Sequence, residues 1–234
     1  MDRTEAFIEK YKELEEAVRT TYRLGNADSI SRFLADKREF YKENNEIRYC
    51  QEVRNLIQHK YKIDSKYTVE PTEAMLEFMD ALIDKVKNRP LCMSIAIPAQ
   101  KIYSRTIYDT ILDTMSVMRE KTYTHVPIME DGRIIGVFDE NCLFTYLCDH
   151  EIVGIEEEDT FHGEIHNYLS LEQRDMEEFI FIRSDMYVDE LVDIFEKAFD
   201  KGKRISVVFL TKNGRKEEKV LGLITPWDIL GMEQ

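Results

Sequence analysis

Apolar residues in the first third of the chain recur every three or four positions, which is the spacing of an amphipathic helix. The first such segment covers residues 3–24, with the apolar positions Phe7, Tyr11, Leu14, Val18 and Tyr22. The same spacing predicts a second helix up to about residue 41, a third over 44–61 and a fourth over about 71–88. Asp28 or Ser29 suits the N-cap of the second helix, and Pro71 suits the first turn of the fourth. Four helices with short links predict a four-helix bundle over residues 1–89.

The pattern changes from residue 91 onward, where short β-branched runs alternate with helical stretches. Strands are predicted at 91–97, 124–129, 133–138, 179–184, 205–211 and 220–225, and helices at 106–121, 141–148, 188–199 and from Pro226 onward. The dipeptides Asp131-Gly132 and Asn213-Gly214 are typical of hairpin turns. The order of elements recurs after about 80 to 85 residues, which indicates an internal repeat. The predicted fold is therefore a helical bundle followed, over residues 90–234, by an α/β repeat with a first copy at about 90–150 and a second at about 165–234.

Three runs within the repeat carry a family resemblance. They are residues 124–128 (THVPI), 132–138 (GRIIGVF) and 221–230 (LGLITPWDIL). Together they resemble a tandem pair of cystathionine-β-synthase (CBS) domains, covering the chain from about residue 91 to its end. The resemblance implies a regulatory module that binds an adenine nucleotide and forms a homodimer.

The last of these runs matches the adenosine-binding signature of that family, a glycine, two apolar residues, Thr or Ser, and an Asp three positions later. The resemblance implies that the Asp228 carboxylate binds the ribose hydroxyls and that the Thr225 hydroxyl and the following helix N-terminus favour phosphate. The implied nucleotide-binding residues are Gly222, Ile224, Thr225 and Asp228, with Ile205 and Arg204 on the neighbouring strand.

The first copy departs from the signature, because Asp139 stands where Thr or Ser belongs and Cys142 stands where Asp belongs. We therefore expect one dominant site per chain, in the second copy, for AMP, ADP or ATP as a regulatory ligand. The alternative is that Thr225 only caps the last helix and that the repeat is a dimerisation scaffold without a ligand.

Charge is distributed unevenly between the two predicted domains. Residues 1–88 contain 16 Lys and Arg against 18 Asp and Glu, a net charge of −2, and residues 89–234 contain 16 against 28, a net charge of −12. An acidic surface repels polyphosphates, which favours AMP over ATP and confines any RNA contact to the N-terminal domain. Lys203 and Arg204 are the cations that could reverse the nucleotide preference locally.

The four cysteines form no C-x-x-C pair and have no histidine at metal-ligand spacing, so we expect core thiols and neither a metal site nor a disulfide framework. No stretch approaches the length of a membrane span, and the N-terminus has no signal-peptide pattern. We therefore expect a cytoplasmic protein with no membrane contact.

The end of the third predicted helix carries candidate chemistry. Residues 54–61 (RNLIQHKY) place an arginine, an amide, an imidazole and a phenol within two turns. At 100° per residue these polar groups face one arc, and Cys50, Val53, Leu56 and Ile57 face the other. Arginine can contact a phosphodiester with two parallel hydrogen bonds, and histidine can transfer a proton near neutral pH. The polar arc is therefore the predicted working face.

The pattern Arg-Asn-x3-His-x-Tyr resembles the R-x4-H-x-Y motif of the HEPN superfamily, whose four-helix domains include metal-independent ribonucleases and HepT-type toxins. The resemblance implies that Arg54 and His59 are a catalytic pair, that Asn55 assists them, and that Tyr61 can be adenylylated. It requires no cofactor, and it implies RNA as a substrate and a nucleotidyltransferase antitoxin-like partner. Because Arg54 and His59 lie about 140° apart on one helix, we expect the motifs of two protomers to meet across a two-fold axis.

Two other interpretations remain open for this segment. A cation near a helix C-terminus is favourable to the helix dipole whatever the function, so Arg54 and His59 can be structural. At the level of the whole chain, the alternative to a ribonuclease is a non-enzymatic regulatory module in which the helical domain binds a nucleotide or a protein. A ribonuclease needs Arg54 and His59 exposed and close together, whereas a regulatory module tolerates them buried or apart.

Overall fold

The computed structural model describes residues 2–59, 67, 69–150, 154–172 and 177–231. The chain divides into a first unit, Met1–Arg89, and a second unit, Pro90–Gln234. None of the helices within the described part of the chain combines the length and the apolar character that a bilayer span needs.

The described residues of the first unit form helices. They are α1 (Arg3–Tyr22), α2 (Ile30–Asp36), α3 (Asn44–His59) and α4 (Glu73–Lys87), with a short 3-10 turn at Arg38–Phe40. The side chain of Asp2 caps α1 by accepting from the Thr4 amide, and Thr72 caps α4 by accepting from the Met75 amide. The second helix is shorter than predicted because the backbone at Lys37 turns to an extended conformation.

The four helices share one apolar core, in which α1 packs against α4 and α2 against α3. The residues of the α3 stripe that reach this core are Ile47, Cys50, Val53 and Ile57. Leu56 is 38% exposed, so its predicted place on the buried arc is wrong. The buried stripe is centred between Val53 and Ile57, and Leu56 lies about 80° from that centre on the helix.

The second unit contains two sheets with helices between the strands. Its helices are α5 (Cys92–Ile95), α6 (Ile111–Lys121), α7 (Glu140–Asp149), α8 (Val188–Asp200) and α9 (Pro226–Leu230). Its strands are β1 (Ile97–Pro98), β2 (His125–Glu130), β3 (Arg133–Asp139), β4 (Glu177–Arg183), β5 (Arg204–Thr211) and β6 (Val220–Ile224). The β2–β3 hairpin is one sheet, and the other has the order β1-β6-β5-β4. Among the paired strands of the described residues, β4 and β5 are parallel and the other pairs are antiparallel.

Two predicted elements near the start of this unit differ from the structure. Residues 91–97 were predicted as a strand, but Cys92–Ile95 is a helical turn and only Ile97–Pro98 pairs with β6. The helix predicted from residue 106 begins at Ile111, because Asp109 accepts hydrogen bonds from both the amide and the hydroxyl of Thr106 and closes a separate turn. Burial acts to raise the pKa of Asp109, but the two hydrogen bonds from Thr106 together with the charge of Arg105 lower it overall.

The two copies of the repeat share a core. Buried residues of β3 pack with residues of β4, β5 and β6, namely Ile134 and Val137 with Phe179, Val207, Phe209, Val220 and Leu223. Equivalent glycines allow the close approaches that this packing needs. A Cβ on Gly136 would lie 2.8 Å from the Leu169 carbonyl oxygen, and one on Gly222 would lie 3.0 Å from the Ala96 Cβ.

Candidate functional site

The predicted nucleotide-binding residues of the second copy lie near the start of β5 and the end of β6. Val208 of β5 is paired with Ile224 of β6, so the start of β5 and the end of β6 are on the same side of the four-stranded sheet. Arg204 is exposed at the first position of β5, and Thr225 follows β6 directly. The fold therefore brings Arg204 and Thr225 to neighbouring strand ends, although they are far apart in the sequence.

Thr225 and Asp228 form a capping box at the start of α9. Oδ2 of Asp228 accepts hydrogen bonds from the Thr225 amide at 2.7 Å and from the Thr225 hydroxyl at 2.8 Å. Pro226 occupies the first turn, where no backbone donor is needed. This arrangement fixes the position of the Asp228 carboxylate, which is half-buried just beyond the end of β6.

Three of the other predicted residues are buried. Ile205 and Ile224 belong to the apolar core of the second copy, near the start of β5 and at the end of β6. Gly222 is packed against Ala96 and Ile97, and Met93 lies 3.8 Å from the position of its missing Cβ. The side of Gly222 that a side chain would occupy therefore faces β1 and α5.

The first copy uses its corresponding residues differently. Asp139 precedes α7 and accepts a hydrogen bond from the Cys142 amide at 2.8 Å, so the carboxylate itself is the N-cap. Cys142 is buried, and its thiol donates to the carbonyl of Tyr168 at 2.9 Å. Cys142 therefore packs inside the copy and is not presented at the strand ends.

Arg54, the first residue of the predicted ribonuclease motif, is directed toward α1. Its guanidinium carbon lies 5.5 Å from the centre of the Tyr11 ring, and one of its terminal nitrogens lies 3.8 Å from a carboxylate oxygen of Glu15. A terminal nitrogen also donates to Asn55 Oδ1 at 3.2 Å. The Arg54 side chain is 25% exposed, and its buried Nε has no hydrogen-bond partner within the described residues. Arg54 thus joins α3 to α1 through a cation–π contact and an ion pair.

The Tyr11 hydroxyl lies within this group. Burial and the nearby Glu15 carboxylate raise its pKa to about 12, although Arg54 opposes them. The phenol therefore stays neutral under ordinary conditions, and the charges of Arg54 and Glu15 balance beside it. The motif at the end of α3 gives no local signal for these two α1 residues, and their four-residue spacing is the only hint that they share a helix face.

The remaining motif residues are placed only in part. Asn55 is exposed on α3, and His59 is the last residue of that helix. The His59 side chain and all of Tyr61 lie outside the described residues. The structure therefore places Arg54 and Asn55 side by side on α3, and the predicted pairing of Arg54 with His59 stays a prediction.

Comparison with protein families identifies the second unit. Residues 106–149 and 174–232 each match the model of the CBS domain. The second unit therefore contains a tandem CBS pair, which confirms that part of the prediction from the internal repeat. No curated protein sequence matches the chain.

Solved structures of low sequence identity also align with the chain. The CBS-domain structure of a hemolysin-like protein from Oenococcus oeni PSU is 14% identical, covers 62% of this chain and 90% of its own, and has a TM-score of 0.42. CBSX2 in complex with AMP is 11% identical over 62% of this chain and 96% of its own, with a TM-score of 0.43. The CBS domain of a bacterial CNNM/CorC-family Mg²⁺ transporter in complex with ATP is 17% identical over 60% and 84%, with a TM-score of 0.41.

Proposed function

We propose that this chain, whose second unit contains a tandem CBS pair, is a regulatory protein that binds one adenine nucleotide in its second CBS copy. The observation that carries the proposal is the fixed Asp228 carboxylate, held by Thr225 at the end of β6, with Arg204 at the start of the neighbouring strand β5. A carboxylate suits ribose hydroxyls, and a cation suits phosphate.

In this proposal Asp228 is the specificity-determining residue. One of its oxygens is occupied by Thr225, and a carboxylate has lone pairs for about four hydrogen bonds. The cap therefore positions the group and leaves capacity for two ribose hydroxyls. Arg204 would contact phosphate, and a preference for AMP would follow from the net charge of −12 on residues 89–234.

Calorimetric titration of the full chain with AMP, ADP and ATP tests this proposal. A charge-assisted hydrogen bond contributes about 1.5–3 kcal/mol, so Asp228→Ala should weaken binding by about 10- to 100-fold. Asp228→Asn keeps a capping oxygen and separates loss of ligand contact from loss of the cap. Asp200→Ala, at the end of α8, is the control and should bind as the wild type does. If none of the three nucleotides bound to the wild-type chain, the scaffold alternative would stand instead.

The first unit would be the part that responds to the nucleotide. Binding can shift its behaviour only by as much as the ligand's affinity differs between two states of the CBS pair. Arg54, engaged by Tyr11 and Glu15, favours a non-enzymatic first unit, because a guanidinium already stacked and paired is less available to a phosphodiester.

The second candidate function is the metal-independent endoribonuclease that the HEPN resemblance implies. In that case His59 would take the proton of an RNA 2′-hydroxyl, Arg54 would stabilise the charge on phosphorus, and Asn55 would assist. Tyr61 would border the site and would be the residue that a nucleotidyltransferase partner modifies.

Incubation of the purified chain with RNA in excess EDTA tests this second candidate. Cleavage by the wild type that is lost in both His59→Ala and Arg54→Ala would support it. Equal cleavage by the wild type and His59→Ala would instead indicate a contaminating nuclease and reject the catalytic role of His59.

A further inference from the structure

Three side chains with metal-binding chemistry converge between the two CBS copies. His125 begins β2, Asp139 ends β3 and Glu177 begins β4. His125 and Asp139 are direct partners in the register of the hairpin. One ligand atom from each of the three residues lies within 4.8 Å of the others, so a single cation can contact all three after small side-chain rotations.

Two atoms of this cluster are left unpaired by the protein. His125 Nε2 and Glu177 Oε2 are both buried and have no hydrogen-bond partner within the described residues. Nε2 lies 3.5 Å from Glu177 Oε1, which is longer than the 2.7–2.9 Å of a charged N–H···O bond. Buried polar atoms normally have a partner, so these two unpaired atoms are candidate ligands for a cation.

The separation of His125 Nε2 from Glu177 Oε1 fits a coordination sphere. Zinc bonds to nitrogen and oxygen are about 2.0–2.1 Å long, which places two donors of a tetrahedral site about 3.4 Å apart. The observed 3.5 Å is close to this edge length. The distance is therefore too long for a strong ion pair and appropriate for two ligands of one metal.

The neighbouring groups hold the donors in the orientation that a metal needs. The hydroxyl of Thr124 lies 2.8 Å from His125 Nδ1, and by accepting the Nδ1–H it would leave the lone pair of Nε2 toward the cluster. The His125 ring also rests edge-on against Phe179, with centroids 5.9 Å apart. Asp139 is 2% exposed, and its bond to the Cys142 amide fixes the position of the carboxylate.

We propose that His125, Asp139 and Glu177 bind one divalent first-row transition-metal ion, with Zn²⁺ favoured by the imidazole and Mn²⁺ as the alternative favoured by the carboxylates. The two carboxylate charges would balance the charge of the ion. The site would tie the end of the hairpin in the first copy to the first strand of the second copy. It does not depend on the proposed nucleotide function.

The strand registers show that the second copy has no equivalent cluster. Ile128 pairs with Gly136 in the first copy as Leu210 pairs with Gly222 in the second. Three residues before Ile128 is His125, and three residues before Leu210 is Val207. Three residues after Gly136 is Asp139, and three residues after Gly222 is Thr225. Asp139, one of the two residues that break the adenosine signature in the first copy, is thus also the residue that supplies a metal ligand, so the two copies would hold different ligands.

Metal loading of the full chain tests the proposal. The chain is stripped with EDTA, equilibrated with Zn²⁺ or Mn²⁺ in separate dialyses, and analysed for bound metal by mass spectrometry. We expect one equivalent of ion per wild-type chain. Replacing groups that only orient ligands costs about 10- to 100-fold in affinity, so Thr124→Val should lose that much and His125→Gln or Glu177→Gln should lose more than about 100-fold.

Two controls distinguish this cluster from other sites. His162→Gln removes an exposed histidine elsewhere in the second unit, and Asp228→Ala removes the carboxylate proposed to bind the nucleotide. Both variants should keep one full equivalent of bound metal ion per chain. Glu177→Gln has the same shape as the wild type, and circular dichroism verifies that it folds. Equal metal content in wild type and both ligand variants, or no bound Zn²⁺ or Mn²⁺ in the wild type, would show that the three side chains form only an ion pair and would overturn the proposal.

Discussion

At the scale of single residues, the surroundings of the four cysteines differ enough to predict their reactivity. Burial raises the pKa of Cys50 to about 11, with Glu46 adding to the effect, and burial with nearby Glu190 and Asp189 raises the pKa of Cys92 to about 12. Cys142 is buried and donates to two carbonyl groups, whereas Cys148 is exposed on α7. The thiolate is the reactive form, so the buried thiols should be inert near neutral pH.

We therefore expect iodoacetamide at about pH 8 to modify one thiol per native chain, Cys148, and all four after denaturation. Peptide mass spectrometry identifies the modified position, and Cys148→Ser should reduce rapid labelling to near zero. Fast labelling of Cys92 in the native chain would contradict its burial. Because both shifted pKa values are raised, the stability that these thiols contribute is fully present below about pH 9 and is lost as the pH rises toward 11 and 12.

Arg54 offers a second test at this scale. Arg54→Ala removes a partly buried cation–π contact with Tyr11 and the pairing with Glu15, and we expect it to lower the free energy of unfolding by about 1–2 kcal/mol. Urea unfolding followed by circular dichroism measures the change. Arg48→Ala, at an exposed position of the same helix, is the matched control and should stay within about 0.5 kcal/mol. Equal stability of the two variants would mean that Tyr11 and Glu15 do not hold Arg54.

At the scale of elements, periodicity predicted the long helices and the strands of the repeat to within a few residues. It failed for residues 91–97, where an apolar run fits a strand and a buried helical turn equally well. The deciding contacts are distant in sequence, since the Cys92 amide donates to the Met186 carbonyl at 2.8 Å. The Ser94 hydroxyl also donates to the Leu91 carbonyl and stabilises the turn. Neither interaction leaves a periodic pattern.

Gly136 provides a test of how the first copy is packed. Its strand lies against Leu169, and a Cβ would lie 2.8 Å from both the Cβ and the carbonyl oxygen of that residue. We expect Gly136→Ala to lower the free energy of unfolding by about 1–3 kcal/mol, because the backbone must move to relieve the overlap. Gly154→Ala introduces the same methyl group where no atom lies within 4 Å, so it should change stability by less than about 0.5 kcal/mol. Thermal unfolding that ranks both variants equally would contradict the close approach.

At the scale of the whole molecule, the signature at Thr225 and Asp228 could be found from the sequence because its residues are three positions apart. The cluster of His125, Asp139 and Glu177 could not, because its members come from three strands and meet only after both copies have folded together. The cysteines have no C-x-x-C pair and no histidine at ligand spacing, which is why the sequence predicts no metal site. A ligand set assembled across a repeat leaves no such spacing.

Exposed aromatic side chains on the second unit bear on whether the chain self-associates. The helices of the second unit carry exposed aromatic side chains, with Trp227 on α9 78% exposed and Phe199 on α8 79% exposed. Phe144 on α7 is exposed as well. Large aromatic residues at the surface are typical anchors of protein interfaces, which supports the predicted homodimer through the second unit. The net charge of −12 on residues 89–234 opposes that association.

These two effects predict a dimer that salt strengthens. Raising sodium chloride from about 0.05 M to 0.5 M screens the repulsion, so sedimentation should show tighter association at the higher concentration. Trp227 is the only tryptophan in the chain, so its emission should shift to shorter wavelength as the protein concentration rises and the side chain leaves water. Trp227→Gln should weaken the dimer by at least about tenfold, whereas Tyr41→Ala, an exposed aromatic of the first unit, should not. A wild-type chain that stays monomeric in high salt, or a Trp227→Gln dimer of unchanged affinity, would place any association elsewhere on the molecule.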